Sequence, residues 1–301
     1  MAIDKCLEII TATDKSLKHS VLVELSGITP NELREFTYAW DGISEKRKCG
    51  VVESLLLLAE DDSSLDFSEV FWECLNDPVD QVRRIAINGL WENDDRRFVG
   101  KFVSMLCHDP NCDVKIAAAI RLGLFVDLAV EEKLLCKDRA FLESKLIGLL
   151  NDNCEDIEVR RRVLESVAPF NTKDVISQIR RSYESGAPEL IASAVYAMGR
   201  TGSDNWLPTV VESLSSTIPS IRYEAVLACG VLGDESISKP LIAMLADDDI
   251  EIQMASIDSL RQIGGLQAVE AIQACIDSGS PLVKSAALDA KYSMDELDEE
   301  D

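Results

Sequence analysis

Apolar and polar residues follow a helical rhythm along this chain, and the rhythm itself recurs. Val159, Leu190, Ile221, Ile252 and Val283 stand 31 residues apart. Four residues after each come Val163, Ala194, Ala225, Ser256 and Ala287; eight after come Val167, Met198, Cys229, Leu260 and Lys291. Steps of four and eight return a side chain to one face of an α-helix, so each set predicts one buried stripe. Only Lys291, in the last copy, breaks the apolar or small pattern, as a terminal unit would. The first residue of each stripe is termed the lead position below.

The register continues upstream through Val114, Ala118 and Leu122, and 32 residues earlier through Val82, Ala86 and Leu90. From Val114 to Val159 the gap is 45 residues, which predicts a helical insertion near 126–140, its helix over Val126 to Lys137. A second stripe runs through every unit. Val175, Trp206, Ile237 and Ala268 are in register, followed at four and eight by Ile179, Val210, Leu241, Ile272 and by Tyr183, Leu214, Leu245, Ile276. Each unit is therefore two short amphipathic helices, and neither buries its stripe alone. Stacking the units side by side buries both, which is the logic of an α-solenoid.

The punctuation fits this period. Pro188, Pro219 and Pro281 stand two residues before a lead position, where the first turn of a helix tolerates a missing amide hydrogen. Twelve residues after it come Asp94, Asn171, Gly202, Gly233 and Gly264, types that accept the positive φ of a helix C-terminal cap. Thr29-Pro30-Asn31-Glu32 reads as a capping box, and helices are predicted from Pro30 to Trp40, Ser44 to Ala59 and Phe67 to Leu75. The expected organisation is an N-terminal helical cap over 1–64, repeats over 65–294 and an acidic tail over 295–301. Length alone favours two domains; the repeat favours one continuous stack.

The segments Asp77-Pro-Val-Asp-Gln-Val-Arg-Arg-Ile-Ala and Pro219-Ser-Ile-Arg-Tyr-Glu-Ala-Val-Leu-Ala-Cys-Gly-Val-Leu-Gly-Asp234 resemble HEAT repeats, particularly the short repeats of the phycobilisome-lyase type. With Glu32-Leu-Arg-Glu-Phe and Leu65-Asp-Phe-Ser-Glu-Val-Phe upstream, the layout is similar to bacterial HEAT-repeat proteins of the Chloroflexi. The resemblance implies a right-handed α-α superhelix of HEAT/armadillo-like type, with the lead helices lining its concave side. It also implies a protein-binding scaffold, with a bilin-lyase-like or cofactor-protein maturation chaperone as the rival. Deoxyhypusine hydroxylase resembles the fold but holds iron through His-Glu pairs, and neither His19 nor His108 is followed by Glu.

Composition narrows the partners. With 54 acidic against 30 basic residues, the net charge of −24 opposes nucleic acid and anionic membrane surfaces. The nine cysteines form no CxxC pair, which favours buried reduced thiols and a cytoplasmic location over a disulfide framework. Cys107, His108 and Cys112 cluster locally, yet zinc wants four ligands, so no metal is expected. There is no glycine-rich phosphate loop, and no Ser or Cys has a neighbouring His to activate it, so the chain reads as a non-enzyme without cofactor.

Binding residues are expected two and six positions after the lead, where side chains leave the packed stripe. On the concave face these include Arg84, Asn88, Arg161, Glu165, Tyr196, Tyr223, Leu227, Met254 and Asp258. Tyr and Arg anchor interfaces because they combine area with hydrogen bonding; equally, such side chains can merely line a crowded helix layer. One residue after the lead, Arg83, Lys115, Arg160 and Arg222 are expected to form a structural ladder with turn acids such as Asp80 or Asp156. The tail Asp295–Asp301 holds six acids in seven residues, a solvating end or a lure for a basic partner.

Overall fold

The computed structural model describes residues 2–12, 16–151 and 156–300, with side chains described up to 294. Cys154 and the acidic side chains of the 295–301 tail lie outside the described residues. Those described form α-helices and 3₁₀ turns and no strand, giving an all-α solenoid built of helix pairs. The chain divides into two compact units, Met1–Leu142 and Glu143–Asp301. Among the described residues no helix is long and apolar enough to cross a membrane.

The first unit contains α1 (Ala2–Thr11), α2 (His19–Leu22), α3 (Pro30–Asp41), α4 (Glu45–Asp61), α5 (Ser68–Cys74), α6 (Asp80–Asn88), α7 (Arg97–His108) and α8 (Cys112–Val130). Helix α9 (Cys136–Leu150) straddles the division. The lead helices α4, α6 and α8 pack successively against one another, and α3 packs on α5 in the other layer. Between the layers runs a chain of rings. Trp72 meets Phe98 edge-on at 5.2 Å, Phe98 stacks on Phe102 at 5.6 Å, and Phe102 reaches Phe125 at 6.3 Å. Large rings fill the wide gap between short helices.

The second unit alternates α10 (Ile157–Val167), α11 (Lys173–Tyr183), α12 (Pro188–Arg200), α13 (Leu207–Ser213), α14 (Pro219–Leu232), α15 (Ser238–Met244), α16 (Ile250–Ile263), α17 (Leu266–Ser278) and α18 (Pro281–Glu300). The lead helices α10, α12, α14, α16 and α18 form one continuous layer. The stripes found in the sequence are its core. Val163, Ala194, Ala225, Ser256 and Ala287 are all fully buried, as are Val167, Met198, Cys229 and Leu260. Among the leads Leu190 alone is half-buried. Small side chains bring these helices close: a Cβ on Gly199 would lie 3.0 Å from Ala228, and one on Gly230 would lie 2.8 Å from Ser259 Oγ.

One polar device recurs at the turn before each of five lead helices. A side-chain oxygen accepts the amide hydrogen two residues on: Asp77 from Val79 at 2.9 Å, Asp109 from Asn111 at 3.0 Å, and Asp247 from Asp249 at 2.9 Å. Ser185 and Ser216 do the same for Ala187 and Ile218, both at 3.2 Å. Where that residue is Asp, a cation from the preceding unit clamps it. Arg83 grips Asp109 with two bonds of 2.8 Å, and Arg222 grips Asp247 at 2.7 and 2.8 Å. Each guanidinium also donates to its own turn, Arg83 to the Asp77 carbonyl and Arg222 to the Ser216 carbonyl. The acids therefore differ from the expected Asp80 and Asp156, because an Arg one position after the lead faces the following turn. Asp80 instead accepts Asn111 Nδ2, and Asp156 caps the Glu158 amide at 2.8 Å.

Lys115 and Arg160 hold the equivalent ladder position and are half-buried. The turn that Arg160 would reach by the same spacing offers Ser185. A rung missed by the sequence reading is Lys48 on α4, whose Nζ meets Asp77 Oδ2 at 2.7 Å beside the Trp40 indole donor, also at 2.7 Å. Its stripe was masked because Arg47 stands at the lead position, donating to the Ile9 and Ile10 carbonyls. Lys48 thus ties α4 to the turn before α6, on which α4 packs, within the stretch expected to be a cap.

Three further expectations change. The long gap holds no separate helix over 126–137: α8 runs on to Val130, a turn with Glu132 at φ 60° stops it, and α9 begins at Cys136. Val126 and Ala129 extend the buried stripe of α8, which is what lengthens it. Asn171, Gly202 and Gly264 adopt the expected positive φ, whereas Gly233 has φ −91° and Asp94 is not left-handed. Gly233 is required by space, since a Cβ would strike Ile237 Cδ1 and lie 2.6 Å from the Cys229 carbonyl. Finally, Cys6, Cys74, Cys229 and Cys275 are buried, but Cys112 and Cys136 are exposed.

Arg222→Ala is expected to lower the unfolding free energy by about 2 kcal/mol, because Asp247 keeps its enclosed charge and loses both charged bonds. In urea denaturation the double variant with Asp247→Ala should lose less than the two single losses combined. An unchanged midpoint for Arg222→Ala would show that the rung carries no stability.

Candidate functional site

The residues predicted to line a binding face fall into two groups. Tyr196 on α12 is exposed, and Tyr223 and Leu227 on α14 and Met254 on α16 are half-buried. They sit on successive helices of the second unit's lead layer, turned away from its packed stripe. Asp258, the next position on α16, accepts Arg261 at 2.7 and 2.9 Å and Gln262 Nε2 at 2.7 Å. In the first unit Arg84 is half-buried and Asn88 exposed, both on α6.

Arg161 and Glu165 are not free docking groups but members of a polar seam between lead helices. Arg161 donates to both Glu158 oxygens, at 2.7 and 2.8 Å, and to Ser193 Oγ at 2.9 Å. Ser193 in turn donates to Glu165 at 2.6 Å, and Arg162 holds the other Glu165 oxygen at 2.6 Å. The seam crosses from α10 to α12 and approaches Glu224 on α14. Arg162, Ser193 and Glu224 are the same position of three consecutive units, three residues past the lead.

Glu224 was not singled out by its sequence, and it is the unsettled member of the seam. Its Oε2 is buried without a hydrogen-bond partner. Burial pushes this carboxyl up to about 7; the Glu165 carboxylate adds to the rise, and Arg162 and Arg161 oppose it. Two arginines already face Glu158 and Glu165, so a third ionised carboxyl has no cation of its own. The one available signal was a Glu on a repeat position that carries Ile, Ala or Ser in most other units.

The lead layer of the first unit contains a cavity of about 620 Å³. It is an open groove: Leu56 and Glu60 of α4 form one side, Ile87 and Asn88 of α6 with the following Trp91 form the floor, and Ala117, Ile120 and Arg121 of α8 form the other side. Asn88 is the one predicted binding residue that lines it. Trp91 and Ile120 are large apolar side chains with about half their surface exposed, 53% and 56%. The predicted thiol-imidazole cluster makes a local contact instead: His108 Nδ1 lies 3.1 Å from the Ser104 carbonyl. Among the described residues no group of three or more His, Cys, Asp or Glu is placed to hold a metal.

Comparison with known proteins adds the following. The family model described as HEAT repeats matches residues 207–290. Phycocyanobilin lyase subunit alpha of Microchaete diplosiphon is 34% identical over 84 residues, which is 26% of this chain and 29% of that protein. Among solved structures, a chain of the Kap95p–RanGDP complex superposes with TM-score 0.55 at 12% identity, covering 97% of this chain and 45% of that one. Importin beta gives TM-score 0.50 at 13% identity, over 96% of this chain and 43% of its own. At these identities the structural likeness speaks to fold alone.

The raised Glu224 carboxyl makes a stability prediction. The folded chain retains a proton that the unfolded chain releases above the ordinary carboxylate range, so stability falls between pH 4.5 and about 7 and is level above. Glu224→Gln should remove that decline and raise stability at pH 8 by about 2 kcal/mol while leaving pH 4 unchanged. Melting temperatures across this range test it; a variant difference independent of pH would refute the assignment.

Proposed function

We propose that this HEAT-repeat chain is a non-catalytic scaffold that binds a protein or peptide along the uncovered face of its lead helices. The observation that carries the reading is Tyr196, Tyr223, Leu227 and Met254, which stand on three consecutive helices and are left out of the packed stripe. A rigid layer presents such anchors at fixed spacing, so little backbone ordering opposes association. Aromatic and Met side chains supply area with adaptable contact. Arg84 and Asn88 stand on the lead layer of the first unit, Asp258 stands on α16 of the second, and Arg161 and Glu165 hold α10 to α12. The acidic surface turns the partner away from nucleic acid and toward protein.

A second reading, a maturation chaperone for a cofactor-bearing protein, draws on the 84-residue similarity to the lyase subunit. It predicts a coloured or cofactor-bearing partner rather than a plain one.

Affinity capture from the native host separates these readings. The wild-type chain should retain a defined protein, and the triple variant Tyr196→Ala, Tyr223→Ala, Met254→Ala should retain at least tenfold less of it. Its melting temperature should stay within a few degrees, since these side chains lie outside the stripe. Retention of no host protein, with turnover of a small molecule, would overturn the scaffold reading.

A further inference from the structure

We propose that the first unit's cavity is a binding site for a small apolar carboxylate, with hydrocarbon against Leu56, Ile87, Trp91 and Ile120 and the acid group on Arg121. The inference is independent of the docking reading above, since Tyr196, Tyr223 and Met254 take no part in it.

Arg121 breaks the rule of the repeat. Seven residues past the lead, the other lead helices carry Gly89, Ser166, Ala197, Ala228, Ser259 and Ala290. That position faces the preceding lead helix and must be small for close packing. A Cβ on Gly199 of α12 would lie 3.0 Å from Ala228 at this position of α14, and Ser259 fits because its short hydroxyl donates to the Val226 carbonyl at 2.9 Å. Putting a long cation where the fold wants a methyl or less is the kind of local conflict that marks a functional site. Here Arg121 lines the cavity over α4, α6 and α8.

The guanidinium is held but not satisfied. Arg121 is only 8% exposed, its Nη2 donates to the Asn93 carbonyl at 2.8 Å, and it lies 5.8 Å from the Phe125 ring centroid. Its Nε is buried without a partner. The acid whose field reaches it, Asp94, is exposed and screened by solvent, and burial pushes the group down to about 10. A desolvated cation without a buried counter-charge stabilises an anion brought beside it.

The rest of the lining selects the ligand's body. Besides Arg121 and the Trp91 indole N–H, the polar lining residues are Asn88 and Glu60, both exposed to solvent. A peptide would bring several main-chain amides against walls that offer almost no partners, and each unmet amide opposes binding. A hydrocarbon chain or ring system with one carboxylate brings none. A volume of about 620 Å³ lies within the range of small-molecule sites.

The test is calorimetric titration of the full chain at 0.15 M salt with decanoate below its micelle range, against the neutral isostere 1-decanol. One-to-one binding of decanoate is expected, at least tenfold tighter than that of decanol. Arg121→Met should weaken decanoate at least tenfold and leave decanol nearly unchanged. Ile120→Glu, at an exposed position that tolerates charge in the fold, should weaken decanoate at least tenfold by apolar loss and repulsion. Absence of saturable decanoate binding, equal affinity for the two probes, or indifference to Ile120→Glu would each overturn the site. A hexapeptide ending in leucine that outcompetes decanoate, and loses this when amidated, would also overturn it by making a chain terminus the occupant.

Discussion

Everything in this fold depends on how closely neighbouring lead helices approach. A short amphipathic helix gains too little from its own hydrogen bonds to persist in water, so its stability comes from burying one stripe. In the second unit the middle of the stripe is made of Val163, Ala194, Ala225, Ser256 and Ala287, and close approach rather than bulk fills the space there. Gly199 against Ala228 and Gly230 against Ser259 mark points where the helices nearly touch. Such contacts tolerate no extra methyl, so the repeat enforces small residues at fixed positions.

Close packing leaves polar groups with few choices. The turns before the lead helices are capped by Asp or Ser, and at Asp77, Asp109 and Asp247 a cation from the previous unit reaches the cap. The three rungs Lys48–Asp77, Arg83–Asp109 and Arg222–Asp247 are enclosed, with acid side chains 1%, 6% and 5% exposed. An enclosed bidentate pair orients two neighbouring units as well as stabilising them. The seam of Glu158, Arg161, Ser193, Glu165 and Arg162 does similar work within the second unit, and Glu224 strains its charge balance. Arg121 and Glu224 both depart from the repeat, and each carries an orphaned polar atom. That coincidence is where function is most economically sought.

Much of the architecture was legible from periodicity because burial and spacing are the same fact seen twice. A residue recurring every 31 positions at steps of four and eight has to lie on one face, and a face of apolar residues has to be covered. Pro188, Pro219 and Pro281 each begin a helix as read, and the Thr29–Glu32 capping box is present with both bonds. What periodicity missed was a unit whose lead is disguised, as at Arg47, or a helix that outruns its register, as α8 does.

The sequence by itself determined most of the helices, the buried stripes and the pairing of Arg83 and Arg222 with turn acids, since these follow from local spacing and side-chain chemistry. Only the tertiary structure decided which acid each arginine meets, because a guanidinium can reach either its own turn or the next one. It likewise decided that Arg161 and Glu165 serve the seam between helices, and that Glu224 and Arg121 are enclosed without full partners. Those outcomes depend on distances between residues 25 or more positions apart, and such distances are set by how the helices pack.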